Sequence, residues 1–212
     1  MKHLITKSVP GRRHGRARDM IRPGLPGPPG TPKHEEGLTI DESIFTREIK
    51  VETFEEGDCL RLKGSLSDAR LGEPLHGLEA EMVVSVWEGE IKEIKGAFPT
   101  WPMEECKQGI ASLEELTGTR VKPGFSEIVK KTVGSIRGCS HLAALVMNMG
   151  NVCVQGRGAY LRKHVPDNAA RDRAMAGQAK ELGLLDSCVA WREDGPIVRR
   201  WRQEHPEDDP KY

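Results

Sequence analysis

An α+β domain is the fold class the sequence predicts, and three observations predict it. Between residues 44 and 98 apolar residues alternate with polar ones, the period of strands covered on one face. From residue 103 onward apolar residues recur at intervals of three and four, the period of helices with one buried stripe. The strands come first and the helices follow, so the two kinds of element are segregated rather than interleaved.

The first strands read from "IFTREIKVETF", a turn at "EEGD", and "CLRLKGSLSDA", in which Leu60, Leu62 and Leu66 share a face. This is a hairpin pattern. "RLGEPLHG" reads as a connecting loop. It is followed by a strand in which Leu78, Ala80, Met82, Val84 and Val86 alternate, a turn at Glu88 and Gly89, and a strand carrying Ile91 and Ile94. Together they predict an antiparallel meander of about four strands.

Three or four helices are expected to pack on it. "MEECKQGIASLEELTG" places Ile110, Leu113 and Leu116 three apart and stops at Gly118, where glycine suits a helix end. "KPGFSEIVKKTVGSI" carries Ile128, Val129 and Val133. "CSHLAALVMNMGNVCVQ" has Leu142, Leu145, Val146 and Met149 on one stripe, with Ser140 placed to cap it. A polar, alanine-rich helix is expected over 165–183, and "SCVAWREDGPIVRRW" reads as a closing C-terminal hairpin around "EDG".

Composition sets the organisation. Twenty-three glycines and fourteen prolines in 212 residues exceed the usual share, and many fall before residue 38, in "RPGLPGPPGTP". Residues 1–37 therefore read as a disordered basic arm, 38–203 as a single α+β domain and 204–212 as a polar tail. The formal net charge of zero conceals an asymmetry. The first 34 residues hold eight Lys and Arg against Asp19 alone, a charge of +7 that the remainder offsets. The arm suits an acidic protein partner, nucleic acid or an anionic membrane surface, or it is only a solubilising tail. Because the folded part is acidic, nucleic acid ranks below protein. There is no apolar run of about 18 residues to span a bilayer and no apolar signal segment, so a cytoplasmic location is expected.

Five cysteines, Cys59, Cys106, Cys139, Cys153 and Cys188, are odd in number and irregular in spacing, which argues against a disulfide framework. Cys139 falls at a helix start, where the macrodipole favours thiolate over thiol. His141 lies two residues on, His76 in "GEPLHG" and Cys106 at the start of the first helix. All four are N and S donors suited to zinc or iron. Their gaps match no short finger motif, and buried free cysteine is common, so the residues alone leave packing and ligation both open. Cys59 and Cys153 are assigned to structure, and Cys188 first to packing, with an approach to the same site left open.

The stretches "GEPLHGLEAEMVVS", "LTGTRVKPGFSEIVKKTVGSIRGCSHLAALV" and "LLDSCVAWREDGPIVRR" resemble the bacterial family of domains of unknown function numbered 2889, over about residues 42–201. The glycine-cysteine-Ser/Thr-histidine-leucine block is its most specific part. The family supplies no established activity. The aromatic, acidic stretch usual in its first hairpin is replaced here by "EEGDCLRLKG".

The order of elements is also similar, more distantly, to that of iron-sulfur cluster scaffold proteins of the NifU type. That resemblance implies a site with His76 in the position of the first cysteine, Cys106 and Cys139 in the other two, and His141 as a fourth ligand. Leu78 stands where an aspartate would be expected. A Cys₂His₂ set suits Zn²⁺ first and a Rieske-like iron-sulfur cluster second. Three functions follow as expectations. The first is a metal-binding accessory or scaffold protein. The second is an enzyme with Cys139 as thiolate nucleophile and His141 or His76 as base, for which the sequence offers no third orienting group. The third is a structural subunit with no site of its own.

Overall fold

The structure, a computed structural model, describes residues 43–136, 138–168, 170–171, 179 and 184–204. The basic arm and the polar tail lie outside these residues, as does most of the alanine-rich helix expected over 165–183. Four strands form one antiparallel sheet in chain order: β1 (Phe45–Glu56), β2 (Cys59–Arg70), β3 (Glu73–Ser85) and β4 (Ile91–Thr100). A 3-10 segment (Glu104–Leu116), α1 (Phe125–Thr132) and α2 (Ser140–His164) follow, and α3 (Pro196–Glu204) ends the described chain. The α+β class and the four-stranded meander are as the residue pattern predicts.

Strand alternation builds the core. Leu60, Leu62 and Leu66 of β2, Leu78, Ala80, Met82 and Val84 of β3 and Ile94 of β4 are buried on one face, while their neighbours along each strand carry most of the charge. α2 covers that face with Leu142, Leu145, Val146, Met149 and Cys153. Two glycines let the helix come close. A Cβ on Gly64 of β2 would meet Met149 Sδ at 2.9 Å, and one on Gly156 of α2 would meet Thr53 Cγ2 at 2.8 Å. Helix and strand are thereby in contact along most of their length, and α2 runs in the direction of β1. Its start lies over the end of β2 and its last turn over the end of β1. Arg157, also buried, donates from Nε to the Val86 carbonyl and from Nη2 to that of Trp87, which satisfies the turn into β4.

Several elements differ from the sequence reading. "RLGEPLHG" is not a loop: β2 and β3 are joined by Leu71 and Gly72 alone, with φ of 53° and 80°, the double positive φ of a tight hairpin turn. Pro74 argues against a strand, but it sits beside a register shift between Asp68 and Ala69, where a bulge relieves the ladder. The first helix is a 3-10 segment, and the spacing of three between Ile110, Leu113 and Leu116 is the 3-10 period itself. Cys139, not Ser140, takes the N-cap position of α2, with no side-chain capping bond. The C-terminal hairpin is absent: residues 184–195 form turns and 196–204 form α3. Pro196 opens that helix in its first turn, where the N–H has no intrahelical partner to lose, and its β-branched run is too short for period to separate strand from helix.

Candidate metal centre

The bulge in β3 determines what gathers at the start of α2. Asp68 pairs with His76 and Ala69 with Pro74, leaving Leu75 as the extra residue. His76 thereby points to the same face as Leu78 and Ala80, toward the helix. Asp68 occupies the next inward position of β2 after Leu66, and its side chain is fully buried. His141 descends from the first turn of α2.

These three side chains converge. Asp68, His76 and His141 offer ligand atoms that all lie within 4.8 Å of one another, the group of this kind found among the described residues. His76 Nδ1 is 3.0 Å from Asp68 Oδ2, and His141 Nε2 is 3.8 Å from the same oxygen. The two imidazoles stack with centroids 4.0 Å apart and planes at 30°. Arg47, opposite Asp68 on β1, binds the carboxylate with both prongs, Nε to Oδ1 at 2.7 Å and Nη2 to Oδ2 at 2.8 Å. On the far side of His141, Cys139 Sγ lies 3.8 Å from Nδ1.

The electrostatics follow from these contacts. The Arg47 hydrogen bonds hold the Asp68 carboxyl below the usual carboxylate range despite burial, and Asp68 in turn raises the guanidinium. Burial, then the neighbouring His76 and Arg47 charges, push His141 below the ordinary imidazole value, with Asp68 opposing. The centre thus combines a carboxylate with an imidazole held neutral, the forms that ligate metals. An ionised carboxylate has about four lone-pair sites, so the Arg47 fork leaves Oδ2 room for another partner.

Tetrahedral zinc with ligand bonds near 2.0–2.1 Å sets neighbouring ligand atoms roughly 3.3 Å apart. The separations of 3.0 and 3.8 Å bracket that spacing. Three protein ligands with a further position open is the pattern of catalytic rather than closed structural metal sites. The same geometry also lines up thiol, imidazole and carboxylate: Cys139 faces one nitrogen of His141 and Asp68 faces the other.

Of the four residues singled out in the sequence, His76, His141 and Cys139 are thus neighbours, the first two within the ligand group and the third against His141. Cys106 is half-buried in the 3-10 segment and outside that group. The segment does approach the site, because a Cβ on Gly109 would lie 3.1 Å from the Cys139 Cβ. Cys153 is buried, and Cys188 is exposed among turns rather than packed. Sequence reasoning missed Asp68 and Arg47. Its available signal was a charged residue at an inward position, two after Leu66, in a strand otherwise apolar on that face.

A family model described as "protein of unknown function (DUF2889)" matches residues 45–155, and the chain belongs to that family. No curated protein and no solved structure matches it. The matched span contains every residue of the cluster.

Proposed function

We propose that this protein binds a divalent transition metal, zinc first, through Asp68, His76 and His141, and acts as a metal-binding accessory protein. The observation that carries this reading is the convergence of two imidazoles on one oxygen of a buried carboxylate, contributed by two strands and a helix start. A mixed N,O set favours zinc or iron as single ions. An iron-sulfur cluster, which draws chiefly on thiolates, ranks below zinc, because the ligand group among the described residues holds no thiolate. The basic arm is assigned to docking a protein partner. No described helix is long and apolar enough to cross a membrane, and we assign the protein to the cytoplasm.

The test is elemental analysis of protein purified without chelator, followed by zinc titration of the chelated protein. Near one equivalent in the wild type, lost in His76→Ala, supports the reading. Folded protein that takes up no metal under either condition contradicts it.

A second reading rests on the alignment of Cys139, His141 and Asp68. With Asp68 as the orienting group, His141 can serve as base to a Cys139 nucleophile. Selective alkylation of Cys139 in chelated, folded protein, slowed in His141→Ala, favours this reading. A Cys139 no more reactive than exposed Cys188 argues against it.

A further inference from the structure

The two edges of the sheet are treated differently. The β4 edge is closed. It contains Pro99, which has no N–H to offer, its register against β3 shifts twice, and residues 118–121 bond along its start. Gly118 N donates to the Ile91 carbonyl at 2.8 Å, and Ile91 N donates to that of Thr119 at 2.9 Å. β1 has none of these protections. It pairs with β2 over its whole length with no register shift, contains no proline, and among the described residues no strand lies on its other side. A long, regular, open edge is a template for another strand.

The register shows which groups that edge presents. Leu71 N donates to the Ile44 carbonyl at 3.1 Å, one step beyond the Phe45 and Arg70 pair. By antiparallel alternation, even-numbered residues of β1 bond to β2. Residues 45, 47, 49, 51, 53 and 55 then point their N–H and C=O groups outward.

We infer that β1 pairs antiparallel with β1 of a second copy, about a two-fold axis at Val51, to make one continuous sheet across both copies. The sequence of the strand selects both occupant and register. With Val51 opposite itself, Lys50 opposes Glu52 of the second copy, and the two-fold axis makes the pair occur twice. Both side chains are on the solvent face, 70% and 52% exposed, and among the described residues they pair with each other along the strand, at 2.9 Å. Moving the axis by one residue sets Lys50 against Lys50, with Glu48 on Glu52, or sets Glu52 against Glu52. Opposed like charges disfavour both. An axis between residues sets outward-pointing groups against inward-pointing ones and breaks the ladder. An axis at Ile49 pairs Lys50 with Glu48, but it shortens the overlap and leaves Glu52 opposite Thr46. On the helix-covered face the Val51 axis lays Ile49 beside Thr53 of the second copy, covering apolar side chains that are only partly buried in one chain.

This inference is independent of the metal reading. Its test is sedimentation of the full chain over a wide concentration range. The expected result is a concentration-dependent dimer. Val51→Pro should abolish it while leaving circular dichroism unchanged, because the Val51 N–H faces outward and an edge strand tolerates proline there. Lys50→Glu should weaken it roughly tenfold or more, through two pairs turned from attraction to repulsion, and adding Glu52→Lys should restore it. A mixture of Lys50→Cys and Glu52→Cys chains should cross-link on mild oxidation, since non-hydrogen-bonded antiparallel partners are about 4.5 Å apart, within disulfide reach, and Ile49→Cys alone should not cross-link to itself. A wild type that stays monomeric at the highest concentration overturns the proposal. So does a dimer in which neither Lys50→Glu nor Val51→Pro has any effect.

Discussion

The two ends of α2 use the same ingredients to different ends. At its start, His141 meets a carboxylate of β2 that is also held by Arg47 and His76. At its finish, Lys163 and His164 meet Glu55 near the end of β1, with His164 Nε2 2.7 Å from Oε1. Each end therefore has an acid, a histidine and a cation. What separates them is water. Asp68 is fully buried, and the groups around it are locked by strand pairing and by the bulge at Leu75. Glu55, Lys163 and His164 are at or near the surface, where an ion pair is screened and contributes little. The comparison teaches that residue type does not distinguish a candidate site from a strap. Burial and convergence do.

The sharpest way to break this contrast is at Asp68. Asp68→Asn strips the anion from Arg47 and should cost about 3 kcal/mol, the low end for losing one partner of a buried ion pair, because Arg47 retains some access to water. Urea unfolding measures it, and metal uptake should be lost with it. His141→Ala should separate function from folding. Metal uptake should disappear, while stability changes by no more than about 1 kcal/mol, as for a side chain still 29% exposed.

Between the two ends lies Cys153, on the buried face of α2, with its thiol pushed up to about 11 by desolvation. In folded protein at pH 8 it should resist iodoacetamide and react only after denaturation, as peptide mapping would show. The smallest effect is expected at the far end. Glu55→Gln should leave metal uptake unchanged and lower stability slightly, by an amount that shrinks as salt is raised. The Lys163 hydrogen bond, and after it that of His164, hold the Glu55 carboxyl below its ordinary value of 4.5. Its contribution is therefore present above that pH and is lost as pH falls through the lowered value. The difference between wild type and variant in thermal melts should vanish in acid.

Much of this arrangement was legible in the residues, for identifiable reasons. Alternation at Leu60, Leu62 and Leu66, and again at Leu78, Ala80 and Met82, is dictated by the strand's period of two and survives folding unchanged. The stripe from Leu142 to Met149 is likewise local. Cys139 and His141 were visible because they sit at a helix start. Asp68 is not legible, because its partners are eight residues away across a hairpin and twenty-one away across another, and only the register brings them together. His76 is legible as a candidate but not as a strand residue, because the two-residue turn at Leu71 and Gly72 and the bulge at Leu75 are set by register rather than by residue type. Cys106 is singled out by its helix start and by a similarity in element order, both of which fix the sequence of elements along the chain but not the distance between side chains.

The most direct test of the central claim is calorimetric zinc titration of chelated wild type beside His141→Ala and Cys106→Ala. Asp68, His76 and His141 as the ligand set predict one site in the wild type, the same site at unchanged affinity in Cys106→Ala, and none in His141→Ala. Binding that survives in His141→Ala and is lost in Cys106→Ala would contradict the account and return the site to the cysteines.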